Sequence, residues 1–345
     1  MQRIFCFIFC FLALACQNKA APEDPDDKET PIEVPLTCPQ APDDLVSYLS
    51  GEAQDKRVTP LGPGLILNGG GQGADDESFV WWRPYLQGGD VVILRTSGSD
   101  GYNDYLFNDI GGIDSVETLL VTDTTLANDD YVACRILQAE GIFIAGGDQS
   151  TYLNHWRETK LSEHLGMAWQ RGAMLGGNSA GLAVLGEFVF AAYQGSAYSE
   201  DVVLDPYDAT VSLENALVPI PFLQGLITDT HFVERDRMGR LAVFMARLLK
   251  DGWGSSIRGL GIDEDTAFVV AANGMGTLMG NGTAYLLEST RQPSLCLAGQ
   301  SLTFEDLKLY RFSEGDQLDF SDFSATVTSS ALDIIGGVLE PSDPY

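Results

Sequence analysis

Ala173-Met174-Leu175-Gly176-Gly177-Asn178-Ser179-Ala180-Gly181 runs from a short apolar strand into a turn that holds one serine between two glycines. Its last five residues match the G-x-S-x-G pattern of a nucleophile elbow. A strand-to-helix turn this tight needs glycines for room, lifts the serine hydroxyl clear of the sheet and gathers backbone N–H groups at one point. One loop then supplies a nucleophile and half of an oxyanion hole. Five residues alone fit an incidental serine in a glycine-rich turn equally well, so the reading rests on what surrounds them.

Working outward, the same theme recurs. Gly64-Leu65-Ile66-Leu67 ends in Asn68-Gly69-Gly70-Gly71, and Asp90-Val91-Val92-Ile93-Leu94 ends in Arg95-Thr96-Ser97-Gly98. Thr118 to Val121 and Gly141 to Ala145 are further short apolar runs followed by small or polar residues. Helical patterns lie between them, clearest from Asn128 to Ala139 and from Leu161 to Arg171. This alternation predicts an α/β fold, a largely parallel sheet with helices on both faces. Such sheets bind ligands at the carboxyl ends of their strands. Gly69 to Ala74 loosely satisfies a dinucleotide fingerprint, with Asp90 at about the right distance for a ribose contact. Asp90, however, opens the second strand instead of closing it, so the glycines read as a structural turn. There is no P-loop lysine motif and no H-E-x-x-H, and only three histidines occur; neither a cofactor nor a metal is expected.

Residues 4 to 15 form an apolar run behind Arg3 and end in Leu12-Ala13-Leu14-Ala15-Cys16. Residues 1–16 therefore read as a signal peptide rather than a membrane span, and the small residues before Cys16 resemble a bacterial lipoprotein signal in which Cys16 carries the lipid. The departure is Ala13, where a larger aliphatic is usual. An ordinary secretion signal is the alternative, and both readings send the mature protein out of the cytoplasm. Residues 17 to 43 are rich in Pro, Asp, Glu and Lys and bury too little to offset the entropy of ordering. The expected organisation is a disordered tether over 17–58 and one domain over 59–345. A formal charge of −29, from 20 basic against 49 acidic residues, excludes nucleic-acid binding, which needs a basic face, and suits a cationic substrate or plain solubility. Of the six cysteines, Cys38, Cys134 and Cys296 remain beyond Cys16. Cys134 reads as buried in a helix, and Cys38 with Cys296 is the expected pair.

A serine nucleophile needs a base, an acid to orient the base and donors for the oxyanion. His155 and His164 fall in helical stretches and read as helix-surface residues. His231 stands where the strand Leu226-Ile227-Thr228-Asp229 gives way to Thr230-His231-Phe232, ahead of a helical run from Val233 to Lys250 that carries Arg235, Arg237 and Arg240. Three arginines beside a candidate base, in so acidic a chain, suggest a carboxylate-binding edge. Gly261-Ile262-Asp263-Glu264-Asp265-Thr266-Ala267 offers three carboxylates in a row, of which alternation lets only one reach His231. Ala145-Gly146-Gly147-Asp148-Gln149, at another strand end, can offer a backbone N–H opposite that of Ala180. Glu200 and Asp201 stay open as alternative triad acids.

Taken in order, Gly-Gly-Asp-Gln, Gly-Asn-Ser-Ala-Gly, Asp-Thr-His-Phe with its arginines, and Gly-Ile-Asp-Glu-Asp-Thr-Ala resemble the cyanophycinase branch of the serine peptidase family that also contains peptidase E. The resemblance runs from about Pro63 toward the C-terminus. It implies a three-layer, flavodoxin-like fold of the class I glutamine amidotransferase kind, often dimeric. Ser179 is then the implied nucleophile, His231 the base and Glu264 the third member, with Gly147 and Ala180 at the oxyanion hole. Gln149, Asp229, Thr230, Arg235, Arg237 and Arg240 fall at the family's substrate-binding positions. The implied reaction is hydrolysis of cyanophycin, a polyaspartate carrying arginine on its β-carboxyls, to β-Asp-Arg. Thr230 departs from the family's glutamine beside the histidine and lacks its amide, which opens other Asp-X or isoaspartyl peptides as substrates.

Two competing readings remain at this level. A generic α/β-hydrolase esterase would order its triad Ser, acid, His, but more than a hundred residues follow His231 and no H-G-G-G motif occurs. A surface lipoprotein that binds a peptide or polymer without cleaving it would have no need of Ser179, His231 and Glu264 together, and fold alone does not separate it from an enzyme.

Overall fold

The computed structural model describes residues 32–72, 75–289 and 291–345, of which Val34–Tyr345 fold as one compact unit. The signal peptide and Cys16 lie outside the described residues. The strands in chain order are β1 (Val46–Gly51), β2 (Gly64–Asn68), β3 (Asp90–Arg95), β4 (Ser115–Leu120), β5 (Gly141–Ile144), β6 (Met174–Asn178), β7 (Phe188–Phe190), β8 (Leu213–Asn215) and β9 (Leu226–Asp229). They continue with β10 (Arg258–Ile262), β11 (Thr266–Val270), β12 (Met275–Gly280), β13 (Ala284–Glu288), β14 (Phe304–Phe312), β15 (Gln317–Asp319), β16 (Ser330–Ile335) and β17 (Val338–Glu340).

The first sheet has the order β1-β4-β3-β5-β6-β2-β11-β12-β15. Its middle, from β4 to β2, is parallel, and β1, β11, β12 and β15 are antiparallel additions at its flanks. The strand period of two assigns its two faces. Ile66, Ile93 and Phe143 pack with Phe79 and Trp82 of the helix Asp75–Trp82, while Leu65, Leu67, Val92, Leu94, Ile142 and Ile144 pack on the other side with the helices Asp130–Gln138, Gln149–Trp156 and Lys160–Gln170. Burial on both faces is why these strands read as continuous apolar runs. The layered α/β architecture expected from the alternation is the one found.

The alternation of runs and helical periods does not foresee a second sheet, in the order β17-β16-β14-β13-β10-β9-β7-β8. Leu226, Leu260 and Leu286 on one of its faces join the first core, and Ile227, Leu287 and Leu309 on the other pack with the helix Met238–Lys250. The turn from β10 to β11, residues 263–265, carries the chain from the second sheet into the first. Both sheets deliver strand ends to that turn.

Two expectations are corrected. The tether does not reach residue 58: Val46–Gly51 pairs in register with β4, Val46 opposite Leu120 and Gly51 opposite Ser115. Nor does Cys38 pair with Cys296. Cys38 is disulfide-bonded to Cys134 across a sequence separation of 96, because the leading segment runs along the helix Asp130–Gln138, where Gln138 donates to the Pro35 carbonyl at 3.0 Å. Cys296 is a free thiol sealed in the core of the second sheet, where burial pushes it up to about 11.

Candidate active site

Ser179 follows β6 and precedes the short helix Ala180–Ala183. Its φ of 55° and ψ of −117° put a non-glycine residue in a costly backbone conformation, as an elbow requires. The flanking glycines are there for close approach: a Cβ on Gly177 would overlap the Gly181 backbone, and one on Gly181 would overlap the Ile144 carbonyl. The first N–H groups of a helix have no partner within it, so that of Ala180 is left for a ligand. Gly146 passes beside the serine, its Cβ direction ending 3.6 Å from Ser179 Cβ, and brings the exposed Gly147 to the same corner.

His231 follows β9 of the second sheet and Glu264 lies in the turn between β10 and β11. Ser179 Oγ is 2.6 Å from His231 Nε2, and His231 Nδ1 is 2.5 Å from Glu264 Oε1. The carboxylate fixes the tautomer: Nδ1–H donates to Glu264, and Nε2 is left to accept the serine proton. Burial holds His231 below its ordinary value against the opposing pull of Glu264, with Arg235 also lowering it. The ring is therefore neutral, as a base must be, at neutral pH. Of the three consecutive carboxylates, Asp263 accepts from the Val233 and Thr283 amides and Asp265 from the Gln72 amide; only Glu264 reaches the histidine. Glu200 and Asp201 sit exposed on the helix Ser199–Val202, and His164 bonds the Lys160 carbonyl within its own helix.

The glycine turn after β2 holds this arrangement together. The His231 amide donates to the Gly69 carbonyl at 2.7 Å, the Asp265 amide to the Gly70 carbonyl at 2.8 Å, and the Ser179 amide to the Asn68 carbonyl at 3.0 Å. A Cβ on Gly70 would enter the His231 ring, and one on Gly71 would meet the Asp265 carboxylate. The glycines serve the histidine, not a pyrophosphate. Asp90 sits at the opposite end of the sheet, its carboxylate accepting from the Lys56 amide and the Ser115 hydroxyl.

The basic edge differs from the expectation. The helix starts at Met238, not Val233, so Arg235 lies in the preceding turn and Arg237 at the helix N-cap. Arg240 is buried and grips Asp229 with Nε at 2.7 Å and Nη2 at 2.5 Å. Arg237, also buried, donates to the Thr230 carbonyl at 2.6 Å and lies 3.3 Å from the Thr230 hydroxyl. Asp229, Thr230, Arg237 and Arg240 thus form a closed buried network that braces the histidine loop. Arg235 is exposed, and Gln149 is half-buried with its amide 3.4 Å from the Phe190 carbonyl.

Missed altogether was a cleft of about 530 Å³ on the far side of Asn178, walled by Asp75, Asp76, Arg95, Tyr102, Tyr105 and Gly146. The signal available was the pair Asp75-Asp76 directly after the glycine turn.

With this geometry in view, similarity to known proteins locates the chain. Residues 105–274, which include Ser179, His231 and Glu264, match the model of peptidase family S51. Over 221 residues the chain is 32% identical to a cyanophycinase of Synechococcus elongatus, covering 62% of this chain and 63% of that one. It is 30% identical over 216 residues to a cyanophycinase of Nostoc sp., covering 60% and 65%. The chain thus spans a little under two thirds of the length of these curated relatives. A crystal structure of a peptidase from an acI-B1 Actinobacterium shares the fold, with a TM-score of 0.51 at 17% identity over 76% of this chain and 98% of that one. The resemblance drawn from the four motifs is to this same family, whose model the segment from 105 to 274 matches.

Proposed function

We propose that the chain is a serine-type peptidase that hydrolyses cyanophycin to β-Asp-Arg through an acyl-enzyme. The observation that carries this reading is the continuous hydrogen-bonded line from Ser179 through His231 to Glu264 at a strained elbow, and the similarity to cyanophycinases supports the substrate. Ser179 Oγ attacks the scissile carbonyl carbon while His231 Nε2 takes its proton; the imidazolium that forms faces Glu264. The tetrahedral oxyanion is stabilised by the N–H groups of Ala180 and Gly147. Collapse breaks the C–N bond, and His231 returns the proton to the leaving amine. A water then repeats the attack on the ester and regenerates the serine.

The test is to incubate the protein lacking residues 1–16, beside Ser179→Ala, with cyanophycin and to follow β-Asp-Arg by mass spectrometry. Dipeptide from the parent alone is expected. Equal turnover in the variant overturns the site, and no dipeptide from the parent moves the substrate to other Asp-X or isoaspartyl peptides, the reading favoured by Thr230 in place of the family's glutamine. The same reading includes export and a lipid anchor at Cys16, supported by the Cys38–Cys134 disulfide, since such bonds persist in oxidising compartments. Membrane-fraction recovery that survives Cys16→Ser would refute the anchor.

A further inference from the structure

The loop that carries Gly147 has two glycines in succession, and a Gly–Gly peptide has no preferred orientation of its own. Without a Cβ on either side, both settings of the Gly146–Gly147 plane are sterically open, and they send the Gly147 N–H in opposite directions. A trans peptide points its C=O and N–H away from each other, so whatever holds the Gly146 carbonyl also fixes the Gly147 N–H. The holder is a side chain of the following helix. Tyr152, 1% exposed, donates its hydroxyl to the Ala145 carbonyl at 2.8 Å and to the Gly146 carbonyl at 3.2 Å. With the carbonyl turned inward to a buried phenol, the N–H is turned outward, to the exposed corner that Gly146 shares with Ser179. That N–H has no hydrogen-bond partner among the described residues.

Tyr152 is itself held firmly. Helical side chains lean back toward the helix N-terminus, and Tyr152 lies in the first turn of the helix Gln149–Trp156, so its ring folds back under residues 145–147. Trp156, one turn further on, stacks on it with centroids 4.3 Å apart and planes 14° from parallel. The indole is anchored in turn, its Nε1–H donating to the Val121 carbonyl at 2.8 Å. Asp148 ties the loop to the helix by accepting from the Ser150 amide at 2.9 Å. The phenol is packed against the second glycine: a Cβ on Gly147 would sit 2.6 Å from its oxygen. Burial raises the phenol above its ordinary value, so the hydroxyl keeps its proton wherever His231 works as a base.

We infer that Tyr152 is the positioning residue of the oxyanion hole, its hydroxyl setting the Gly146–Gly147 peptide so that the Gly147 N–H faces the reacting oxygen. The inference rests on the peptidase reading, in which that N–H and the one of Ala180 share the oxyanion. The Ala180 donor is oriented by the helix it opens; the Gly147 donor comes from a loop without such a frame and takes its direction from the tyrosine. A donor oriented in advance needs no reorganisation at the moment of reaction, and removing one oxyanion-hole donor lowers kcat by about 10²–10³. Tyr152→Phe keeps the ring, its stack and its burial and deletes only the hydroxyl. The peptide is then free to divide its time between two settings, so a partial loss of roughly 10–100-fold is expected.

A fluorophosphonate tests this without any peptide substrate. Ser179 Oγ attacks phosphorus while His231 takes its proton; the O–P bond forms, the P–F bond breaks and fluoride leaves, with negative charge gathering on the phosphoryl oxygen where the carbonyl oxyanion would lie. Labelling is followed by mass spectrometry of the peptide that contains Ser179. At saturating probe, Tyr152→Phe is expected to label roughly 10–100-fold more slowly than the parent. Its half-saturating concentration and the acidic limb of its pH–rate profile should stay where the parent has them, because the line from Ser179 to Glu264 is untouched; a general loosening of the site would move the limb. Gly147→Ala should also slow labelling, since the added Cβ meets the phenol oxygen. In Tyr152→Phe/Gly147→Ala that oxygen is gone, so the double variant should label within about threefold of Tyr152→Phe alone. An unslowed Tyr152→Phe, a displaced limb, or effects that multiply in the double variant overturn the role of the tyrosine while leaving the peptidase reading intact. A parent that leaves Ser179 unlabelled removes the nucleophile, and both readings fall together.

Discussion

At the scale of single residues, the site is a problem of two opposing influences on one imidazole. Burial and the Arg235 charge favour the neutral ring, and the Glu264 hydrogen bond favours the charged one; burial wins. A base whose value lies below the ordinary 6.5 works only in its neutral form, so kcat/KM should be flat at neutral pH and fall as pH drops below about 6.5. Arg235→Ala removes a charge that lowers the imidazole, and a pH–rate profile of that variant should show the acidic limb moved upward. A limb that stays put, or moves down, contradicts the assignment of that limb to His231. Glu264→Gln, with its proton-accepting partner lost, should reduce kcat by about 10³–10⁴. Ser179, His231 and Glu264 were legible as residue types at strand ends. That Arg237 and Arg240 close on Asp229 was not, because spacing along the chain does not say whether a charge faces solvent or its neighbour.

At the scale of elements, three loops from two sheets must arrive within hydrogen-bond distance of one another. The glycine turn after β2 is what they share, accepting the amides of Ser179, His231 and Asp265 on the carbonyls of residues 68 to 70. Gly70 adopts φ of 131° directly under the histidine ring, so Gly70→Ala carries both backbone strain and a steric overlap. Displacing His231 by about an ångström is expected to cost roughly 10² in kcat, with the circular dichroism spectrum and the packing of both sheets retained. Full activity in that variant would mean that the turn is only a connection. The sequence marked this turn as tight but not as the support of the histidine, since the contact joins residues 161 positions apart (231 minus 70).

At the scale of the whole molecule, the leading segment is fastened twice, to the first sheet by β1 along β4 and to the helix Asp130–Gln138 by the Cys38–Cys134 disulfide. Cross-linking residues this far apart removes much loop-closure freedom from the unfolded chain, on the order of 2–5 kcal/mol of stability in the chain-entropy account. Cys38→Ser/Cys134→Ser should therefore unfold at lower denaturant concentration by that margin, while Cys296→Ser leaves no disulfide to lose. A midpoint for the double variant indistinguishable from that of the parent would show the staple to be energetically idle.

What the amino-acid sequence determined by itself was the α/β layering, through apolar runs of strand length alternating with helical periods, and the elbow, through glycines at the only spacing that admits it. These are local matters, settled by period and by backbone sterics. The tertiary structure alone decided which carboxylate meets His231, which cysteine meets Cys38, and that a second sheet delivers His231 to Ser179 at the end of a strand of the first. It decided also that Asp75, Asp76 and Arg95 line one cleft. Each of these depends on a long-range approach of side chains, and a linear sequence records the residues but not the distance between them.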